Sequence, residues 1–165
     1  IQASKVDTAV ERLALPEAFG GDAIVWGLEG APRQVLAFVD PLCPVCVEYL
    51  ESQTKPVLAG RLRMRILAAS VHGSSDGGAI MILEHRKGRF TRFVHDLARA
   101  QGYDGDVRPW IARRVEQLNR SELRSAREAA RRQEALAKRI GIRRTPTVYL
   151  LDRDQRPRRI HAVLH

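Results

Sequence analysis

Apolar residues recur along the chain in two spacings, which together predict a mixed α/β domain. Several short segments are almost wholly apolar or alternate between apolar and polar residues, as buried and half-buried strands do. The clearest alternation, RLRMRILAA, puts Leu62, Met64 and Ile66 on the inward face of a strand. The five predicted strands span residues 23–28, 34–40, 61–69, 145–152 and 159–164.

Helical spacing dominates the N-terminal segment and the segment after the second strand. Val6, Val10 and Leu13 recur at helical intervals, and a Gly-Gly pair at 20–21 ends the run. We therefore predict a linker-like helix within residues 1–21. An amphipathic pattern predicts another helix over residues 46–58.

The segment from residue 71 to residue 142 lacks strand signals and is predicted to be helical throughout. We expect Ser121 to cap its last helix and Gly141 to follow the end of that helix. Four parts of the segment have helical spacing: 77–85, 90–100, 108–118 and 121–140.

The order of these elements predicts how the chain folds. Parallel strands need a crossover, which is normally helical. We expect the helix over 46–58 to supply one crossover and the helical segment to supply the other. A chain of 165 residues suits one domain. We therefore predict a single domain over residues 1–165, with residues 71–142 as a helical insertion.

Charge is concentrated in the predicted insertion. The chain has a net charge of +9, and residues 108–144 hold twelve basic residues and four glutamates. Glu128 and Glu134 precede Arg132 and Lys138 by four positions, a spacing that supports an exposed helix. A solvated face explains this charge, and docking to acidic client proteins or to an anionic membrane surface is the alternative. Nucleic-acid binding is not favoured, because aromatic residues do not interleave with the basic ones.

The only two cysteines, Cys43 and Cys46, form a Cys-x-x-Cys motif between a predicted strand and a predicted helix. A cysteine at a helix N-terminus lies near unpaired N–H groups and the positive end of the helix dipole, which lowers its pKa from about 8.5 to about 3.5–7.5. We expect Cys43 to be the exposed nucleophile and Cys46 the buried resolving thiol. Pro44 suits the first helical turn, where a missing N–H costs little.

Two other interpretations of the cysteine pair are less favoured than redox activity. A structural zinc site usually takes four ligands, and the histidines show no ligand spacing relative to each other or to the pair, so we predict no metal. A structural disulfide across two residues would close a very small loop and contribute little. The histidines are His72, His85, His95, His161 and His165.

A Thr-Pro pair opens the predicted strand over 145–152. A cis bond before Pro146 would free the backbone of Thr145 to pair with an extended substrate near the sulfur. The alternative is a trans proline that merely opens a strand. Asp40, three residues before the first cysteine, is either a turn residue or a proton-handling group near the thiols.

Together the segments FVDPLCPVC, the helical insertion and TPTVYLLD resemble the thioredoxin superfamily, and more narrowly the catalytic domain of the DsbC/DsbG group of periplasmic disulfide isomerases. The shared features are Asp40, the insertion and Thr145, and Pro44 matches the DsbG form of the motif. The resemblance implies an α/β thioredoxin-like fold with a central mixed sheet. It also implies that Thr145 and Pro146 line the substrate groove and that Val45 tunes the thiols.

The resemblance sets the functional expectations as well. It implies a thiol-disulfide oxidoreductase of the bacterial periplasm, of isomerase or reductase type with the direction open, that uses no metal or organic cofactor. Its partners would be client proteins with disulfides or free thiols and a membrane redox protein. We expect no N-terminal dimerisation domain in this sequence, and a homodimer only if such a domain precedes it. The alternative is a thioredoxin-fold binding or chaperone module with incidental thiols.

Overall fold

Five strands and seven helices make up the computed structural model, which describes residues 4–102 and 104–160. The strands are β1 (Ile24–Trp26), β2 (Arg33–Val39), β3 (Leu62–Ala68), β4 (Thr147–Leu151) and β5 (Pro157–Ile160). The helices are α1 (Thr8–Leu13), α2 (Leu15–Gly20), α3 (Pro44–Leu58), α4 (Asp76–Arg86), α5 (Phe90–Gln101), α6 (Arg108–Glu116) and α7 (Arg120–Ile140).

The strands form one mixed sheet in the order β1-β3-β2-β4-β5. β2 and β3 run parallel, with Val35 opposite Met64, and α3 is their crossover. The other neighbouring pairs are antiparallel. Because β4 runs antiparallel to β2, the helical segment is not a second parallel crossover, and that expectation was wrong. The segment is instead an excursion between β3 and β4.

Hydrophobic residues cover both faces of the sheet. Side chains alternate between the two faces along β2, so successive residues of this strand belong to different hydrophobic clusters. Val35, Ala37 and Val39 belong to one cluster, which also contains residues of α3 to α7. Leu36 and Phe38 belong to a second cluster with residues of α1, α2 and the C-terminal part of α7. The buried run of β2 therefore reflects a central strand packed on both sides, as its sequence predicts.

The N-terminal segment differs from the single predicted helix. Val6 forms an isolated bridge with Arg158 instead of the first helical turn. The helix begins at Thr8, because the Asp7 side chain caps it by accepting the N–H of Val10 at 3.1 Å. A break at Ala14 then separates α1 from α2. Pairing with the sheet edge therefore replaces helical periodicity at Val6.

The insertion is helical as predicted, and buried contacts join it to the sheet. Gln133 of α7 is fully buried, and its side-chain oxygen accepts the N–H of Ala68 at 2.7 Å. At Gly78 of α4, an added Cβ would lie 2.9 Å from the Cβ of Ala68, so only glycine permits this approach. Gly141 ends α7 with a φ of 92°, as its position predicts.

The start of α7 differs from the sequence prediction. Its N-cap is Asn119, whose side chain accepts the N–H of Ser121, so Ser121 is not the cap. The glutamates at i,i+4 spacing form no ion pairs along the helix, since Arg132 binds Asp22 and Glu134 accepts a hydrogen bond from the Ser75 hydroxyl. Contacts with other parts of the chain therefore compete successfully with pairing along the helix.

The C-terminal strand β5 starts at Pro157, two residues before the predicted start. Its predicted end falls on residues 161–164, which lie outside the described residues. No helix within residues 4–102 or 104–160 combines the length and the apolar character that crossing a bilayer requires.

Candidate active site

The cysteine motif lies where the central strand β2 passes into α3. Cys43 is the N-cap residue of α3, in an extended conformation, and Pro44 occupies the first helical turn. The N–H of Cys43 donates to the carbonyl of Asp40 at 2.9 Å, and the carbonyl of Cys43 accepts the N–H of Val47 at 3.1 Å. These hydrogen bonds fix the first sulfur over the start of the helix.

Both cysteines are buried, although Cys43 was expected to be exposed. The exposed fraction is 5% for Cys43 and 0% for Cys46. Val45, between them, is 48% exposed and presents an apolar side chain to solvent. The expectation of an exposed Cys43 was wrong, and the carbonyl oxygen of Thr145 is among the atoms near its sulfur, a contact that only the tertiary fold produces.

The two thiols are free and have opposite acidities. The Cys46 thiol, which hydrogen-bonds to the Cys43 sulfur, is the main cause that lowers the pKa of Cys43 to about 4. The Cys46 N–H and the side chains of Thr145 and His72 add to this effect, and burial opposes it. Burial and the adjacent Cys43 raise the pKa of Cys46. The shared proton therefore resides on Cys46, and Cys43 is the thiolate at neutral pH.

The Thr145–Pro146 peptide bond is cis, as predicted. The carbonyl oxygen of Thr145 lies 3.6 Å from the Cys43 sulfur. Within the described residues, neither the N–H nor the carbonyl of Thr145 has a backbone hydrogen-bond partner. The buried hydroxyl oxygen of Thr145 has no hydrogen bond among the described residues. The Thr145 side chain nevertheless lowers the pKa of both thiols.

Asp40 is almost completely buried beneath the cysteine motif. Its two carboxylate oxygens accept the N–H groups of Leu42 and His72, each at 2.9 Å. Burial raises the pKa of Asp40 despite these hydrogen bonds. The carboxylate thus ties the loop after β2 to the loop after β3. Its role in proton handling stays a prediction.

His72 is a site residue that the sequence analysis missed. It is exposed in the loop after β3, and its side chain helps to lower the pKa of Cys43. The predicted order of the strands could have indicated that His72 lies at the site. The C-terminal ends of parallel neighbouring strands lie at the same sheet edge, so the residues after β3 had to lie near those after β2.

Insertion residues border the motif on a further side. An added Cβ at Gly105, in the loop before α6, would lie 3.6 Å from Pro44. At Gly77, in the first turn of α4, an added Cβ would lie 3.5 Å from Leu42 and from Pro41. The insertion therefore packs against the cysteine motif as well as against the sheet.

The histidines show no arrangement for metal binding in the described part of the chain. Among residues 4–102 and 104–160, no three or more His, Cys, Asp or Glu side chains come together as a metal site. Nε2 of His85 accepts the N–H of Val25 at 3.3 Å. His161 and His165 lie outside the described residues.

Comparison with known proteins identifies the fold. No protein-family model and no curated protein sequence matches the chain. Proteus mirabilis ScsC, as a linker-deletion variant, superposes with a TM-score of 0.68 at 14% identity, covering 94% of this chain and 76% of that one. The thiol-disulfide exchange protein α-DsbA2 from Wolbachia pipientis gives a TM-score of 0.64 at 13% identity, with coverages of 93% and 87%.

A periplasmic thioredoxin-like protein from Salmonella enterica serovar Typhimurium gives a TM-score of 0.60 at 17% identity and covers 83% of each chain. With the mixed sheet, the helical insertion and the cis-proline, these likenesses show that the chain has the thioredoxin-like fold. They do not single out the DsbC/DsbG group.

Proposed function

We propose that the protein is a thiol-disulfide oxidoreductase that acts on the disulfides of other proteins. The observation that carries this proposal is the placement of two free thiols at the start of α3, with the Cys43 sulfur 3.6 Å from the carbonyl oxygen of Thr145 before the cis-proline. Cys43 is ionised and lies against the cis-proline loop, whereas Cys46 stays protonated behind it. A thiolate is the nucleophile in disulfide exchange, and a second thiol within reach completes the reaction.

The exchange proceeds through a mixed disulfide. The Cys43 thiolate attacks one sulfur of a client disulfide, the client S–S bond breaks, and the departing client thiolate takes up a proton. Cys46 then attacks the Cys43 sulfur, and the second client thiolate leaves and takes up the proton that Cys46 loses. The protein is left with a Cys43–Cys46 disulfide, and the client has gained two electrons and two protons. The same steps in reverse transfer a disulfide to the client.

The cis-proline loop supports binding of the client chain. The N–H and carbonyl of Thr145, which have no backbone partners among the described residues, match the hydrogen-bonding pattern of an extended peptide laid beside the sulfur. Pro146 and the exposed Val45 border the same place with apolar surface. In this proposal Thr145 aligns the client backbone, and Cys43 reaches the client sulfur.

The acidity of Cys43 favours disulfide donation or shuffling over general reduction. An ionised thiol stabilises the reduced protein, so the oxidised protein becomes the stronger oxidant, as in oxidases with low cysteine pKa values. A client thiol that resolves the mixed disulfide instead of Cys46 gives isomerisation without net electron transfer. Disulfide donation requires re-oxidation, for which we propose a membrane protein with a redox-active disulfide.

The proposed location is the bacterial periplasm. One similar structure is described as a periplasmic thioredoxin-like protein and another as a thiol-disulfide exchange protein. Stable cysteine pairs on client proteins occur in oxidising compartments of this kind. The proposed clients are therefore disulfide-bonded proteins of the cell envelope.

A trapping experiment tests the exchange chemistry. Reduced wild-type protein, Cys43→Ser and Cys46→Ser are incubated with insulin, and covalent adducts are separated without reductant. We expect Cys46→Ser to accumulate the mixed disulfide, because the resolving thiol is gone, and Cys43→Ser to form none. Insulin reduction by Cys43→Ser at the wild-type rate would refute the proposal.

A redox equilibrium with glutathione tests the direction. We expect a reduction potential of about −180 mV or higher, in the range of disulfide donors and isomerases. A value of about −270 mV would identify a reductant and overturn the proposed direction. The exchange chemistry itself would remain as proposed, because it depends on the trapping result.

A further inference from the structure

A basic groove lies beside the cysteine motif. It has a volume of about 660 Å³, within the size range of ligand-binding clefts. The loop after β3, residues 69–75, forms one wall. The C-terminal half of α7 and the start of the loop to β4 form the other.

Both walls of the basic groove continue into the proposed active site. The first wall contains Val71, next to His72, whose side chain helps to ionise Cys43. The second wall contains Arg143, two residues before Thr145, whose carbonyl lies 3.6 Å from the Cys43 sulfur. On both walls, therefore, groove residues lie within two positions of a residue that faces the Cys43 sulfur.

The groove is positively charged, and its cations are available. Arg131, Lys138 and Arg143 line it, all three exposed. Within residues 4–102 and 104–160 none of them forms an ion pair. The single carboxylate in the lining, Glu134, is half-buried and accepts a hydrogen bond from the Ser75 hydroxyl at 2.7 Å. Three cations thus face one carboxylate.

Other arginines on α7 do form ion pairs with carboxylates elsewhere in the chain. Arg127 binds Asp76 at 2.8 Å, and Arg132 binds Asp22 at 2.6 Å. These two ion pairs join α7 to other parts of the chain. The cations of the groove have no such structural partner, although they lie on or just after the same helix.

Apolar surface lies among these cations. Val71 is 37% exposed, and the half-buried Ile142 and the exposed Ala135 also line the groove. A surface that combines positive charge with apolar contacts is complementary to a peptide with acidic and apolar side chains. The groove lacks aromatic residues on which nucleic-acid bases could stack.

We infer that the basic groove docks an acidic, extended segment of the client protein next to its reactive cysteine. This inference rests on the proposed function, since the client arrives as a disulfide. The groove favours clients in which Asp or Glu flanks the cysteine and raises their rate of encounter with Cys43. Charge complementarity of this kind mainly raises the association rate constant, and the increase becomes smaller as the salt concentration rises.

Three peptides test the preference. Each has a central cysteine as a mixed disulfide with 2-mercaptoethanol, flanked on both sides by Asp/Glu, by Asn/Gln or by Lys. Their second-order rate constants with reduced protein are measured by acid quenching and mass spectrometry. We expect the acidic peptide to react about tenfold faster than the neutral one at about 0.01 M salt. The advantage should disappear at about 1 M salt.

A pair of triple variants locates the effect. Arg131→Gln/Lys138→Gln/Arg143→Gln removes the cations of the groove. Arg113→Gln/Arg120→Gln/Arg124→Gln removes three exposed arginines outside it and gives the same net charge. We expect the ratio of acidic to neutral rates to fall close to one in the groove variant and to persist in the control. An equal loss in both variants, or no loss in the groove variant, would overturn the inference.

A binding titration separates this inference from the proposed function. The acidic peptide with serine in place of cysteine is labelled and titrated with wild-type protein and with the groove variant. If wild-type protein exchanges with no peptide, the proposed function fails. In that case tighter binding of the serine peptide to wild type than to the groove variant still supports docking in the basic groove. If all three peptides exchange at the same rate, the proposed function stands and the inference is wrong.

Discussion

The cysteine loop, residues 40–46, and helix α7 handle their charged groups in opposite ways. In the loop, the Asp40 carboxylate is buried and both its oxygens accept backbone N–H groups, and Cys43 is 5% exposed. On α7, cations such as Arg131 and Lys138 extend into solvent. Low polarity around the loop strengthens each interaction, so single partners decide protonation states. Solvent and salt weaken each charge on α7, so a single ion pair there contributes little to stability.

The largest expected effect concerns the stability of the reduced protein. The pKa of Cys43 is about 4 when folded and about 8.5 in an unfolded chain, so between these pH values the unfolded state binds one more proton. Stability then rises with pH by about 1.4 kcal/mol per pH unit and is lost as pH falls towards 4. Urea unfolding of reduced wild-type protein and of Cys43→Ser measures the difference.

In that experiment Cys43→Ser removes the titrating thiol and serves as the reference. The difference in unfolding free energy between the two proteins should therefore increase steadily with pH across the window. A constant difference would show that Cys43 has the same acidity in the folded and unfolded states.

A smaller effect is expected from the buried carboxylate of the loop. Asp40→Ala leaves the N–H groups of Leu42 and His72 without acceptors, which should cost about 2 kcal/mol of stability. Thermal or urea unfolding measures this loss. Glu128→Ala, which removes an exposed carboxylate from α7, is the matched control and should leave stability unchanged. Equal effects of the two substitutions would remove the contrast between loop and helix.

The smallest effect is expected at an ion pair of α7. Arg132→Gln breaks the contact with Asp22, but the Arg132 side chain is 59% exposed, and Asp22 keeps Arg86 at 2.9 Å. We expect a loss of at most about 0.5 kcal/mol by urea unfolding, and less in high salt. A loss of more than about 2 kcal/mol would mean that α7 depends on this pair as the loop depends on Asp40.

Local sequence patterns predicted the parts of the fold that local forces determine. The apolar run of β2, the alternation of β3 and Gly141 at the end of α7 each follow from short-range preferences. The Cys43–Cys46 motif likewise placed the thiols at a helix start. The cis bond before Pro146 was predicted only in the context of that motif.

Features that depend on distant contacts escaped prediction. His72 reaches the site because β2 and β3 are parallel neighbours, and the Thr145 carbonyl that lies near the Cys43 sulfur is 102 positions away in the sequence. Val6 pairs with Arg158, more than 150 positions away in the sequence. The main cause of the low pKa of Cys43 is the Cys46 thiol, whereas the sequence argument relied on the helix terminus.

The acidity of Cys43 determines which thiol attacks a disulfide, and the pH dependence of its alkylation measures that acidity. Reduced protein is treated with iodoacetamide across a pH series, and modified Cys43 is quantified by peptide mapping. Cys46→Ala serves as the comparison, and its midpoint should be higher because the main hydrogen-bond donor is lost. We predict a midpoint at about pH 4 for the wild-type protein. A midpoint at about 8.5, the value of an ordinary thiol, would show that Cys43 is protonated at neutral pH and is not the proposed nucleophile.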